Sequence, residues 1–112
     1  MLSRVQPGFT EEYAEETVTF EQVADTSGDL LLEFGAPWCG HCQAANPAVK
    51  AALAEQSSLP HLKIYDGKGK RLGRAFKVKL WPTLILLRDG VEVDRLVRPV
   101  EVQEVRGLLS SV

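Results

Sequence analysis

From Asp29 to Cys42 the chain reads Asp29-Leu30-Leu31-Leu32-Glu33-Phe34-Gly35-Ala36-Pro37-Trp38-Cys39-Gly40-His41-Cys42. Residues 29–34 are a short apolar run with Glu33 set inside it, bounded by Gly28 and Gly35. Such a run predicts a strand covered on both faces of a sheet. Cys39 and Cys42 are the only cysteines among 112 residues. A disulfide stabilises mainly by closing a loop in the unfolded chain, and a loop this small removes almost no entropy. The pair is a poor staple. A zinc site would need two more ligands at sensible spacing. The only histidines are His41, inside the bridge, and His61. An inert thiol pair is the other bland reading, and redox work is the stronger one.

After Cys39 the sequence is alanine-rich to about Ser57, and Ala45, Ala48, Val49, Ala52 and Leu53 form an apolar stripe at helical spacing. Pro47 lies inside this helix and should kink it. Upstream, Thr19-Phe20-Glu21-Gln22 fits a capping box and opens a short helix to about Thr26. Residues 1–16 are acidic and weakly patterned, and Phe9 and Tyr13 could anchor an edge strand there. Downstream, residues 61–65 read as a second strand and residues 66–70 as a turn cluster. A short helix or irregular turn follows to about Phe76. Residues 83–87, the Asp89-Gly90 turn and residues 91–96 read as a hairpin, since Asp-Gly between apolar runs is the strongest short-range hairpin signal. Pro99 and Glu101 open a last helix carrying Val102, Val105, Leu108 and Leu109 on one face. The alternation predicts one α/β domain spanning 1–112, with a central mixed β-sheet flanked by helices on both faces.

Composition excludes several classes. Thirteen Lys and Arg against fifteen Asp and Glu leave a net charge of -2. That is too balanced for a nucleic-acid footprint, so no nucleic-acid partner is expected. No run approaches the length a membrane span needs, so no membrane association is expected either. The first twenty residues hold four glutamates and no apolar stretch, which makes the cytoplasm the expected compartment.

A Cys-x-x-Cys between a buried strand and a helix is a thioredoxin-like redox motif. The chain resembles the thioredoxin family, and Ala36-Pro37-Trp38-Cys39-Gly40-His41-Cys42 looks like the active-site stretch of its protein disulfide isomerase type. Pro47 matches the kink proline of the family's active-site helix. Glu33 matches its buried acid, and Lys63 the lysine that commonly lies near that acid. Trp81-Pro82-Thr83 matches its cis-proline loop. The match covers about residues 17 to 110. The resemblance implies a thioredoxin fold and a protein-disulfide reductase or thiol–disulfide oxidoreductase. It implies no bound cofactor and no metal, the redox-active Cys39–Cys42 disulfide sufficing. The partners would be protein disulfides, with a thioredoxin reductase or glutathione as electron donor, and the chain is expected to be a monomer.

Physical reasoning assigns roles at these positions. Cys39 begins a helix, where unpaired N–H groups and the dipole favour a negative charge, so it should be the attacking thiolate. Cys42, one turn along and more covered, should resolve the mixed disulfide. A protonated His41 would stabilise the Cys39 thiolate and make the couple more oxidising. Burial of a lone carboxylate disfavours its charge and suits Glu33 to carry a proton for Cys42. The resemblance makes Pro82 a cis-proline beside which an extended substrate pairs, and Trp38 is read as a substrate contact. Three positions depart from the family: Gly35 replaces an aromatic, Leu80-Trp81 precedes Pro82, and Arg98-Pro99 stands where thioredoxins have a glycine. Trp81 is therefore either a substrate contact or a filler of the volume left at Gly35. Arg98 and Lys63 are modulators of the site on this reading. The competing function is a redox-sensing binding module that docks one partner without general turnover.

Overall fold

The computed structural model describes residues 8–14, 19–66 and 71–112. Most of the acidic segment, and residues 67–70 of the expected turn cluster, lie outside them. The elements are α1 (Phe20–Ala24), β1 (Asp29–Gly35), α2 (Gly40–Ala54), β2 (His61–Tyr65), α3 (Arg71–Ala75), β3 (Thr83–Arg88), β4 (Val91–Val97) and α4 (Val102–Leu108). The sheet runs β2-β1-β3-β4, with β1 parallel to β2 and antiparallel to β3, and β3 antiparallel to β4. This is the mixed α/β sheet expected from the sequence.

Strand alternation sorts the core into two halves. Leu31, Leu84 and Leu86 point to one face and pack on Ala48, Val49, Ala52 and Leu53 of α2 and on Val105 and Leu108 of α4. Leu30, Leu32, Phe34, Ile85 and Leu87 point to the other and pack on Val23 of α1 and Leu72 of α3. Each of these fully buried aliphatics contributes about 1.5 to 3 kcal/mol. With helices on both faces, β1 and β3 are covered twice, which is why they read as unbroken apolar runs. Glu33 and Gly35 share the Leu31 face, so both lie beneath α2.

Local signals close the elements. The Thr19 hydroxyl accepts from the Gln22 N–H at 3.1 Å, and the Gln22 side chain accepts from the Thr19 N–H at 2.9 Å, which completes the capping box. Asp89 and Gly90 take φ of 51° and 80°, the pair of positive values a two-residue hairpin turn requires. A side chain at Gly90 would collide with the backbone of Ala24. Pro47 falls inside an uninterrupted α2.

The expected edge strand takes another form. Residues 8–14 make two isolated parallel bridges, Gly8 to Pro60 and Ala14 to Ile64. Between them the ladder is broken because the Thr10 N–H donates to a side chain, His61 Nδ1, at 2.9 Å. The segment lies along β2 but spends its polar groups on the site below.

Candidate active site

Cys39 is the N-cap of α2. Its sulfur accepts the Cys42 N–H at 3.2 Å, one of the orphan amides of a helix start. The extended backbone at Cys39, φ -79° and ψ 120°, is what places that sulfur across the helix mouth. His41 is exposed on the first turn, between the two cysteines. Cys39 keeps 8% of its surface exposed and Cys42 only 3%, so an incoming sulfur meets Cys39 first. Burial, followed by the hydrogen bond with Cys39, pushes the Cys42 thiol up to about 12.

Glu33 is fully buried below the pair. Two groups hold its carboxylate. The Tyr13 hydroxyl donates to Oε2 at 2.6 Å, and His61 Nε2 lies 2.9 Å from Oε1. Because His61 Nδ1 accepts the Thr10 N–H, its proton sits on Nε2 and is donated to Glu33. Burial and the Glu33 charge push the Tyr13 phenol well above its ordinary value, so it stays a donor. By sequence, Tyr13 reads only as an edge-strand anchor and His61 only as a possible zinc ligand, and neither has a place beside Glu33. His61 is two residues from Lys63, and strand alternation puts both on the Glu33 side of the sheet, a signal that could have found it. Tyr13 comes from a segment without periodicity, and no pattern points to it.

Lys63 corrects an expectation. It stands opposite Glu33 in the parallel ladder, yet its ammonium does not pair with that acid. Asn46 Oδ1 at 2.7 Å and the Glu11 carbonyl at 2.9 Å take it, and the faces of Tyr13 and Phe9 lie 4.6 and 5.3 Å away. These acceptors and rings draw the charge up the outer side of Tyr13, leaving Glu33 to neutral donors.

Gly35 is explained by the same groups. A Cβ there would lie 2.5 Å from Tyr13 Oη and 2.6 Å from Cys42 Sγ. The space beside Gly35 holds the Tyr13 hydroxyl, so Trp81 is not its filler. Trp81 is half-buried on the other side of the pair. Its indole N–H donates to Asp66 Oδ2 at 3.0 Å, and its ring meets Trp38 edge-on with centroids 5.5 Å apart. Trp38 is 65% exposed. The Trp81–Pro82 peptide bond is cis. Arg98, at φ 53°, donates from Nε to the Trp81 carbonyl at 2.8 Å. Trp81 packs on Cys39 and Cys42, Trp38 and Arg98 both reach Trp81, Pro82 follows it in the chain, His41 lies between the cysteines on the first turn, and Tyr13 links Glu33 to the same cluster. No cluster of three or more metal-ligating side chains occurs among the described residues.

A dithiol at a helix start, with a buried acid behind it, does thiol–disulfide exchange, and a four-stranded mixed sheet between two helical layers is the frame of one class of such domains. The family model that matches residues 11–110 is described as Thioredoxin. The chain belongs to the thioredoxin family and is a thiol–disulfide oxidoreductase of thioredoxin type. It is 38% identical over 84 residues to a thioredoxin of Chlamydia trachomatis, covering 73% of this chain and 82% of that one. The reduced form of thioredoxin 2 from Pseudomonas aeruginosa superposes with a TM-score of 0.83 at 43% identity, covering 92% and 95% of the two chains. Over 65 residues the chain is 48% identical to protein disulfide-isomerase A2 of Pongo abelii, a match spanning 54% of this chain and 12% of that longer protein. Proteins of this family act through their own dithiol/disulfide pair, with no bound cofactor.

Proposed function

We propose that this protein reduces disulfides of protein substrates, with Cys39 as nucleophile and Cys42 as resolving thiol. The carrying observation is the asymmetry of the pair. Cys39 caps α2 and accepts an amide N–H, while burial holds Cys42 protonated until it is called on. Cys39 attacks a substrate sulfur and forms a mixed disulfide. Cys42 then attacks Cys39, and the substrate leaves reduced. Glu33 takes the Cys42 proton and His41 stabilises the Cys39 thiolate. The exposed Trp38, the half-buried Trp81 and the backbone beside cis-Pro82 form the substrate face, and Arg98 modulates it.

The same reading makes the whole chain one thioredoxin-like domain working as a monomer in the cytoplasm. A pair with so little value as a staple fits a reducing compartment. Among the described residues, no helix is long and apolar enough to cross a membrane. Electrons come from a thioredoxin reductase using NADPH, or from glutathione.

Insulin reduction tests this, run once with thioredoxin reductase and NADPH and once with glutathione and its reductase. Sustained turnover in either system is the expected result, and the faster system names the donor. Oxidation that stops after one equivalent in both would leave a redox-sensing binding module instead.

A further inference from the structure

Cys42 is buried, and its proton needs a way to Glu33. The two are not neighbours in the chain, and what lies between them is Tyr13. Its hydroxyl donates to Glu33 Oε2 at 2.6 Å, and its ring packs against the Cys39–Cys42 cluster. Both Tyr13 Oη and Cys42 Sγ lie within 2.6 Å of the point where a Gly35 Cβ would stand, so Gly35 is what lets them meet.

We infer that Tyr13 is the proton relay of the resolving step, passing the Cys42 thiol proton to Glu33 Oε2 through its own hydroxyl. The inference rests on the reading of Glu33 as proton acceptor. In this step the Cys42 S–H proton moves to Tyr13 Oη as the Tyr13 proton moves to Oε2. The Cys42 thiolate forms a bond to Cys39 Sγ, and the Cys39–substrate S–S bond breaks. The substrate sulfur leaves as a thiolate and is protonated by water. Cys39 and Cys42 are oxidised to a disulfide, and the substrate disulfide gains the two electrons. Reduction of the pair runs the same transfer backwards and returns the proton to Cys42. Because both protons shift together, the phenol is never left ionised. That matters in a site where burial and the Glu33 charge oppose a phenolate.

The surrounding groups fix the direction. His61 fills Oε1 from the far side, and its Nδ1 is held by Thr10, so the proton is received at Oε2. Lys63 lies over the Tyr13 ring at 4.6 Å, bonded to Asn46 and Glu11, and neither competes for the hydroxyl. Glu11 and Glu12 are the remaining charges beside Tyr13; both are exposed and line a cavity with it. One alternative route exists: Cys42 also lines this cavity of about 500 Å³ with Glu12, Gln43, Asn46 and Lys63, through which a proton could pass to water.

The full-length reduced protein should be mixed with 5,5′-dithiobis(2-nitrobenzoate), whose two released thiols report separately on attack by Cys39 and resolution by Cys42. Tyr13→Phe is expected to slow the second release at least about tenfold at pH 7, within the range of a lost proton-transfer group, and to leave the first within about twofold. Glu33→Gln should slow the second release as much, and the double variant no more than Glu33→Gln alone. If Glu33→Gln slows resolution and Tyr13→Phe does not, the relay is overturned, the cavity route replaces it, and the role of Glu33 stands. If neither slows it, the reading of Glu33 fails as well. Equal slowing of both releases by Tyr13→Phe makes the residue structural and also overturns the relay. Should Tyr13→Phe not fold, the unaltered protein decides in H2O–D2O mixtures. Two protons in flight bend the plot of resolution rate against deuterium fraction; a straight or flat line rejects the relay.

Discussion

At Cys39 and Cys42 the same element treats two identical side chains oppositely. The helix start offers Cys39 an amide, and the sheet beneath buries Cys42. Cys42→Ser should therefore trap substrates as mixed disulfides on Cys39, and Cys39→Ser should abolish exchange. Non-reducing gels with an unfolded disulfide substrate read both, and equal trapping by the two variants would overturn the assignment. On the proposed reading His41 acts on the same sulfur when it is protonated. His41→Pro removes that source of positive charge, so the reduction potential should fall by tens of millivolts, where about 30 mV corresponds to 1.4 kcal/mol. Equilibration in glutathione buffers measures it, and an unchanged potential would acquit His41. Trp81 offers its ring to Trp38 and donates its N–H to Asp66. Trp81→Ile should cost about 1 to 3 kcal/mol by removing the indole hydrogen bond to the Asp66 carboxylate, and should also broaden the range of protein disulfides reduced. A stability loss with an unchanged substrate range would make Trp81 purely structural.

Elements show where sequence was sufficient. The runs at 29–34 and 83–87, the Thr19 box and the Asp89-Gly90 turn each carry their own local cause, and each appears where that cause puts it. The half of the site built on α2 was legible for the same reason: Cys39, His41 and Cys42 are fixed by one helix start. The half built across strands was not. Lys63 was expected by Glu33, which the β1–β2 register supports, but its hydrogen bonds go to Asn46 and Glu11. His61 and Tyr13 took the carboxylate instead, and only tertiary packing brings Tyr13 there. The short α3 has a similar hidden link. Asp66 packs against Gly73, and any side chain at Gly73 would strike its carboxylate. Gly73→Ala is thus expected to push Asp66 off the Trp81 indole, costing about 1 to 2 kcal/mol. A changed Trp81 fluorescence together with a lower denaturant midpoint is the signature; a shift in midpoint with the emission untouched would show that Asp66 yields without releasing the indole.

For the whole molecule, the buried acids set how stability follows pH. Cys42 is raised to about 12 from an ordinary 9, and Tyr13 is raised from 10. Both are protonated in the folded protein at pH values where the unfolded chain has begun to ionise. Their contribution is complete below about pH 9 and is lost as pH climbs toward 12. The reduced protein should therefore unfold at progressively lower denaturant between pH 9 and 11. Cys42→Ala should flatten that decline, and Tyr13→Phe should flatten it further. A decline equally steep in all three would place its origin elsewhere.

Arg98 Nε donates to the Trp81 carbonyl, which on the proposed reading is the acceptor an extended peptide would use beside Pro82. Docking there is an exchange of one donor for another, and an exposed side chain moves aside in picoseconds to nanoseconds, so encounter is not delayed. What changes is how long a peptide stays. The returning guanidinium recovers a hydrogen bond worth about 0.5 to 1.5 kcal/mol, which shortens residence by a few-fold to about tenfold. For a protein whose reduced product has to leave before the next disulfide arrives, that competition speeds turnover at the cost of a tight grip.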